Sequence, residues 1–212
     1  GRHFGLAREG QQEFGLPEPT YWVCNVGTEI YNQKGIQDIQ WQGFLGPAFD
    51  QGAMCRALED IRALTLQEGE KQGPHKLSFY TQGKVDKKLS RLVLERMKIF
   101  RSDLRLVNSV EEASNRGLLD ILPDNSGKSA ALHYLAEKLG FAPPTVFFAG
   151  DSGNDRDVLL SGVCGTLVGN APPEVRADLQ LNSQGRVKTL HFSTASYGDG
   201  IAEGLRYFGF LE

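Results

Sequence analysis

Four chemically active side chains crowd one turn of the sequence. FFAGDSGNDRDVLL, Phe147 to Leu160, is an apolar run that stops at Asp151, Asn154, Asp155 and Asp157. The run reads as a short buried strand, and in open α/β sheets ligands bind beyond the carboxyl ends of the strands. Asp151 sits at such an end. Asp155 is four residues on, so a helical turn would bring both carboxylates to one side. Hard oxygen ligands at that spacing suit Mg²⁺, which keeps several waters and shares its shell with a substrate phosphate. Gly150 and Gly153 permit a tight turn and close backbone approach. A calcium loop beginning at Asp151 would need Gly at its sixth position and Glu at its twelfth; Arg156 and Gly162 stand there. The plainer reading is that these acids only cap the next helix.

A second stretch, DNSGKS from Asp124 to Ser129, resembles half of a phosphate loop. The full pattern needs Gly where Leu122 stands, so a nucleotide loop of that type is excluded. Lys128 at a helix start is informative all the same. The N-terminal end of a helix favours anions, and the lysine adds a point charge, which together suit a phosphoryl oxygen. A solvated surface lysine is the alternative.

Elements must hold these groups in place. The spacing predicts a first helix through Phe4, Leu6, Ala7 and Phe14, ended by Gly15 and Pro17. YWVCNV, Tyr21 to Val26, reads as a strand stopping at Gly27-Thr28-Glu29. From about Ile36 a long helical region is expected, with Phe44, Leu45, Phe49, Met54, Leu58, Ile61 and Leu64 on its apolar side. KLSFYT, Lys76 to Thr81, alternates as a half-exposed strand, with Lys76, Ser78 and Tyr80 on the polar face. A helix over Val85–Phe100 and strands in LRLVNSV and GLLDILP complete a small α+β unit. After Pro123 the pattern is α/β: helix from Lys128, strand TVFFAG, short helix DVLLSG, strand GTLVGN, helix PPEVRADL, and a last helix in which Asp199 is a candidate cap. The expected organisation is an α/β core over residues 1–33 and 124–212, with an α+β insertion over residues 34–123.

Composition narrows the function. The chain has 212 residues, 40% hydrophobic and 23% charged, enough for a packed core. Net charge is −3 and no basic stripe runs along any segment, which argues against a nucleic-acid partner. No apolar run approaches the roughly 20 residues of a membrane span. Cys24, Cys55 and Cys164 are odd in number and scattered, as free thiols in a reducing compartment would be. No signal-peptide pattern opens the sequence. A cytoplasmic setting is expected.

Lys128 followed by GDSGND resembles the Mg²⁺-dependent phosphatases of the haloacid dehalogenase superfamily. YWVCNVGTEIY, PHKLSFY, LLDILPDNSGKSAALHYL, AGDSGNDRDVL and the final FGFL are similar to the sucrose-phosphate phosphatases within it, along essentially the whole chain. The resemblance implies a Rossmann-like haloacid dehalogenase core, a parallel sheet with helices on both faces, carrying an inserted α+β cap that selects the sugar. It implies two-step phosphoryl transfer through an aspartyl-phosphate, with sucrose-6-phosphate as the expected substrate. Carried over by match, Lys128 binds phosphate, Asp151 is a metal ligand, Asp155 supports the metal directly or through water, and Asn154 contacts phosphate or the metal shell. Asp157 is expected on a helix surface. One departure stands out: the family's DxDxT, source of nucleophile and general acid, is absent. The family's second motif ends in Gly-Arg, where this chain begins. Gly1 and Arg2 would then mark the edge of the phosphate site, and a strand, a helix and a second strand would precede them.

Sugars are held by polar side chains with an aromatic face nearby. Guided partly by the resemblance, Glu29, Lys76 and Ser78 are the expected sugar contacts, with Trp41 as a weaker candidate beside its role as a packing anchor. His133 and His191 are expected to be structural or without a role. Mannosylfructose-phosphate phosphatases share these features. A phosphatase-like regulatory domain of a sucrose-phosphate synthase, in cis or in trans, is a further class.

Overall fold

The computed structural model describes residues 2–83, 85–111, 116–183 and 188–212. Two compact units divide the chain, Gly1–Ala131 and Leu132–Glu212, with the division inside the first turns of one helix.

The first unit opens with α1 (Phe4–Glu13), capped by His3, whose Nδ1 accepts the Leu6 N–H at 3.3 Å. None of its residues is buried. It is tied down by Phe4, which stacks on Tyr31 at 4.3 Å and meets Trp22 edge-on at 5.9 Å. Both partners lie on an antiparallel hairpin of β1 (Tyr21–Cys24) and β2 (Glu29–Asn32). The expected strand therefore ends at Cys24, not Val26. Asn25, Val26 and Gly27 all have positive φ, at 48°, 60° and 88°. Left-handed backbone at a β-branched residue is strained and persists only where its surroundings enforce it.

The long helical region expected from Ile36 is two short helices, α2 (Ile39–Leu45) and α3 (Gln51–Arg56). Asp38 and Asp50 cap them by accepting the Trp41 and Ala53 N–H groups. Gly46, at φ 85°, and Pro47 break the run. Leu64 opens β3 (Leu64–Leu66) instead of closing a helix. A four-stranded antiparallel sheet follows, in the order β3, β4 (Leu77–Thr81), β6 (Arg116–Pro123), β5 (Leu104–Glu111), with α4 (Lys87–Met97) placed before β5 in the chain. Leu77, Phe79, Leu119 and Ile121 point to one face and pack with Met54, Leu58, Val93 and Met97. Ser78, Tyr80 and Asp120 point to the other.

That second face of β4 was expected to be half exposed; all five residues of the strand are buried. The segment after β3 folds back over it. Gln67 donates to the Phe79 carbonyl at 3.0 Å. Gln72 donates to the Ser78 carbonyl and accepts the Ser78 N–H at 2.8 Å. Side-chain amides here replace a neighbouring strand.

The helix α5 (Lys128–Leu139) ends at Gly140, φ 74°, as expected. The second unit holds a parallel sheet, β7 (Phe147–Gly150), β8 (Cys164–Leu167) and β9 (Leu190–Phe192). Around it are α6 (Arg156–Leu159), α7 (Pro173–Asn182) and α8 (Tyr197–Tyr207). Leu159, Leu167, Leu179 and Leu190 form its core. Gly150, Leu167 and Phe192 are in register, so three turns leave the sheet along one edge. Asp199 is not the cap of α8: it lies in the first turn, and Ser196 occupies the cap position. No helix among the described residues is long and apolar enough to cross a membrane.

The two glycine turns of the first unit are in contact. A Cβ on Gly27 would lie 2.3 Å from the Gly127 carbonyl carbon and 2.7 Å from the Lys128 nitrogen. Gly27→Ala is expected to lower stability by about 2 kcal/mol or more, because the added carbon meets backbone at a positive φ. Urea unfolding of the variant measures it; a midpoint unchanged from the parent would show that the two turns can separate freely.

Candidate active site

A group of buried polar side chains lies in the first unit. Glu29, Lys76, Ser78, Asp120 and Asn25 are each more than nine-tenths buried. The Ser78 hydroxyl donates to Asp120 Oδ1 at 2.5 Å, and Lys76 Nζ lies 3.7 Å from the same oxygen. Lys76 also donates to the Lys71 carbonyl. Burial pushes the Lys76 ammonium below its ordinary pKa, and the carboxylates of Asp120 and Glu29 oppose that shift. The Tyr31 hydroxyl donates to Glu29 Oε2 at 2.8 Å; burial and then that carboxylate raise its pKa. Burial, with Glu29 nearby, pushes the Cys24 thiol up to about 12.

Two observations mark this group as a place for a ligand. Asn25 Oδ1 is buried and has no hydrogen-bond partner, although the residue is held in a left-handed conformation. Gly73 leaves space beside it: a Cβ there would come within 3.0 Å of Glu29 Oε1 and 3.5 Å of Asn25 Nδ2. An ammonium, two carboxylates, a hydroxyl and a carboxamide offer the mixed donors and acceptors that a polyol uses.

The structure brings together Glu29, Lys76 and Ser78, the three side chains expected to contact a sugar. Asn25 and Asp120 were missed. Asp120 had a legible signal: a lone carboxylate in the apolar run GLLDILP, directly opposite Ser78 in the sheet. Trp41 is fully buried and stacks on Phe44 at 5.3 Å, a packing anchor. Arg2 presents its carbonyl to the Asn25 N–H at 2.9 Å, and its guanidinium lies against Gly10 on the exposed side of α1. Gly1 lies outside the described residues. Lys128 is the first residue of α5, after Gly127 at φ 110° and Ser126, whose hydroxyl donates to the Pro123 carbonyl at 2.6 Å.

In the second unit, Asp151, Asn154 and Asp155 share one turn. Asp155 is buried, and its Oδ2 accepts the N–H groups of Asp151 and Ser152, both at 3.2 Å, and the Ser152 hydroxyl at 3.0 Å. The reciprocal cap is complete, because the Ser152 side chain also receives the Asp155 N–H. Ser152 donates as well to Asn154 Oδ1 at 2.8 Å. Gly150 is required: a Cβ there would lie 2.6 Å from that of Asp155. Asp155 therefore shapes the turn, while Asp151 remains exposed at the strand end. Asp157 is exposed on α6, as expected. A cavity of about 230 Å³ adjoins Asp151 and Asp155, with Asn170, Tyr197 and Ile201 among its walls. Tyr197 has φ 53°, held by its N–H donating to Asn170 Oδ1 at 2.7 Å.

Among the described residues no three His, Cys, Asp or Glu side chains form a closed metal cage. Mg²⁺ does not need one, since one or two carboxylates with waters and a substrate phosphate suffice. Asp151 fits that role directly and Asp155 fits it as the group that aims the turn.

Residues 1–209 of the 212 match a family model described as sucrose-6F-phosphate phosphohydrolase. The chain belongs to this family. Tobacco sucrose-phosphatase 2 is 31% identical over 97% of the chain, which spans 48% of that relative. Mannosylfructose-phosphate phosphatase of Agrobacterium fabrum is 32% identical over 93% of the chain and 76% of the relative. A sucrose-phosphatase from Synechocystis, solved in complex with sucrose and phosphate, superposes with a TM-score of 0.83 at 27% identity, covering 98% of this chain and 82% of that one. The chain spans about half the length of the plant relatives it matches. As a sucrose-6F-phosphate phosphohydrolase family member it has the haloacid dehalogenase fold expected from its motifs.

One carboxylate fixes the loop behind the acidic turn. Glu203 accepts the hydroxyl of Ser193 at 2.7 Å, the N–H groups of Thr194 and Ala195, and a bond from His191 Nε2 at 2.9 Å. The Ala195 carbonyl in turn receives the Gly169 N–H at 2.7 Å, next to Asn170. His191 is thus structural. The Ser193 hydroxyl and these N–H donors hold the Glu203 carboxyl down to about 2, from 4.5. Its stabilising effect is present above pH 4.5 and is lost as pH falls through about 2. Glu203→Gln is expected to reduce stability at pH 7 and to flatten the acid limb between those values. Thermal unfolding of both proteins across that range checks this; parallel pH profiles would remove the assignment.

Proposed function

We propose that the protein is a Mg²⁺-dependent sugar-phosphate phosphatase whose substrate is a disaccharide phosphate, sucrose-6-phosphate first among them. The buried Glu29, Lys76, Ser78, Asp120 and Asn25 group carries the reading, because a fold gains nothing from five desolvated polar side chains unless something uses them. In this reading residues 34–123 are the cap and residues 1–33 with 124–212 the core.

Each residue then has a task. Lys128 and the N–H groups opening α5 bind the phosphoryl oxygens. Asp151 holds Mg²⁺, Asp155 keeps the turn in shape, and Asn154 faces the phosphate or the metal shell. Bound Mg²⁺ would neutralise charge on the transferred group. Lys76, Ser78 and Glu29 orient the sugar, with Asn25 and Asp120 beside them. The reaction joins a water oxygen to phosphorus and releases the sugar alcohol, by way of an aspartyl-phosphate. The two aspartates of DxDxT are not among these 212 residues. The chain's one Asp-X-Asp, Asp155-Arg156-Asp157, cannot replace them: Asp155 is committed to its turn and Asp157 lies on an exposed helix surface. A cytoplasmic setting accords with three free cysteines. The Agrobacterium relative supports a second reading in which mannosylfructose-phosphate is the substrate.

Phosphate release from sucrose-6-phosphate, mannosylfructose-phosphate and hexose phosphates tests this, on the chain together with any residues its gene encodes ahead of Gly1. Preference for sucrose-6-phosphate, abolished by EDTA, is the expected result; no release from any of them would refute the phosphatase reading. Lys128→Ala should cut kcat by about a hundredfold or more, as for loss of one positioned charge donor, and near-normal turnover would sink its assignment. Lys76→Ala should raise KM for the disaccharide phosphate about tenfold while leaving that for para-nitrophenyl phosphate in place. Equal effects on the two substrates would mean that Lys76 does not read the sugar.

A further inference from the structure

The register of β5 places a cation between the buried polar group and the lysine turn of the first unit. Arg105 pairs with Leu122, and the next pair on that face is Val107 with Asp120. Paired residues of an antiparallel sheet share a face, as do residues two apart on a strand, about 7 Å from each other. Arg105 is therefore on the polar face, one step from the carboxylate that holds Ser78 and Lys76. Leu104 and Leu106, its neighbours, face the opposite way and join the apolar core.

The step leads toward Lys128. Arg105 Nη1 donates to the Ser126 carbonyl at 3.5 Å, and a Cβ on Gly127 would lie 3.3 Å from Nη1 and 3.7 Å from Cζ. The guanidinium thus rests on the Ser126–Gly127 turn just before Lys128, in space left open by the glycine. Along one face the order is the sugar-type polar group, then Arg105, then the lysine turn.

We infer that Arg105 contacts the phosphate ester of the bound sugar phosphate and separates phosphorylated from free disaccharide. The inference rests on the disaccharide-phosphate reading above. A guanidinium is the side chain suited to this place. Its planar fork can meet two phosphate oxygens, it is always charged, and its five donors let it hold the Ser126 carbonyl and a phosphate together.

Titration calorimetry of the 212-residue chain with sucrose-6-phosphate and with sucrose, for the parent, Arg105→Gln and Arg105→Lys, tests it. The glutamine keeps a donor for Ser126 and removes the charge. Arg105→Gln should weaken sucrose-6-phosphate about tenfold or more, the scale of a lost charge-assisted bond, and leave sucrose unchanged. Arg105→Lys should recover part of the loss. The parent's affinity for sucrose-6-phosphate should fall with added salt more steeply than that of Arg105→Gln. Unchanged affinity for sucrose-6-phosphate, or equal weakening for both sugars, overturns the assignment, the latter by revealing a structural role. A parent that binds neither sugar overturns the disaccharide reading itself, and this inference with it.

Discussion

An ammonium group inside a β-sheet must be matched or it will not stay charged. Lys76 imposes that condition on the first unit. Asp120 supplies the opposite charge, Ser78 fills a second lone pair of the same oxygen, and the Lys71 carbonyl takes another proton. The Lys71 carbonyl can reach only because the chain between β3 and β4 folds back, a path secured by Gln67 and Gln72. Removing Asp120 would leave Lys76 with only Glu29 to oppose its burial, and loss of a partner from a buried pair is costly. The irregular segment before β4 is therefore part of what keeps Lys76 charged rather than a mere connection.

Much of this was legible in advance, for reasons that differ by element. The acidic turn was readable because strand, glycine, aspartate and capping pattern fall within one short stretch, so local rules determine it. Lys128 was readable for the same reason. The strand Lys76 to Thr81 was found by alternation, but its burial was not. Alternation reports which residues share a face; it cannot report that distant glutamines will cover that face. The long helix failed at Gly46-Pro47, where two breakers outweighed an apolar spacing that continued across them. Asn25 was beyond reach, since nothing in the local spacing marks its left-handed backbone at the end of β1.

Charge is divided between the units. The first carries Lys76, Arg105 and Lys128 in its polar places, and the second offers Asp151 on a turn shaped by Asp155. Phosphoryl transfer calls for both kinds of group, cations for the oxygens and hard carboxylates for a metal. The acidic turn is held by its own capping box, and Glu203 gathers the separate loop Ser193–Ala195.

The continuity of β6 into α5 has a metric consequence. Asp120 and Lys128 lie on one unbroken segment, stiffened by Pro123 and closed by the Ser126 hydroxyl on the Pro123 carbonyl. The turn between them is closed by that hydrogen bond. On the proposed reading the segment is a gauge: a ligand that engages both ends would have to match the span of this turn. If that reading holds, a change of accepted sugar would come from side chains along the gauge while its turn is kept.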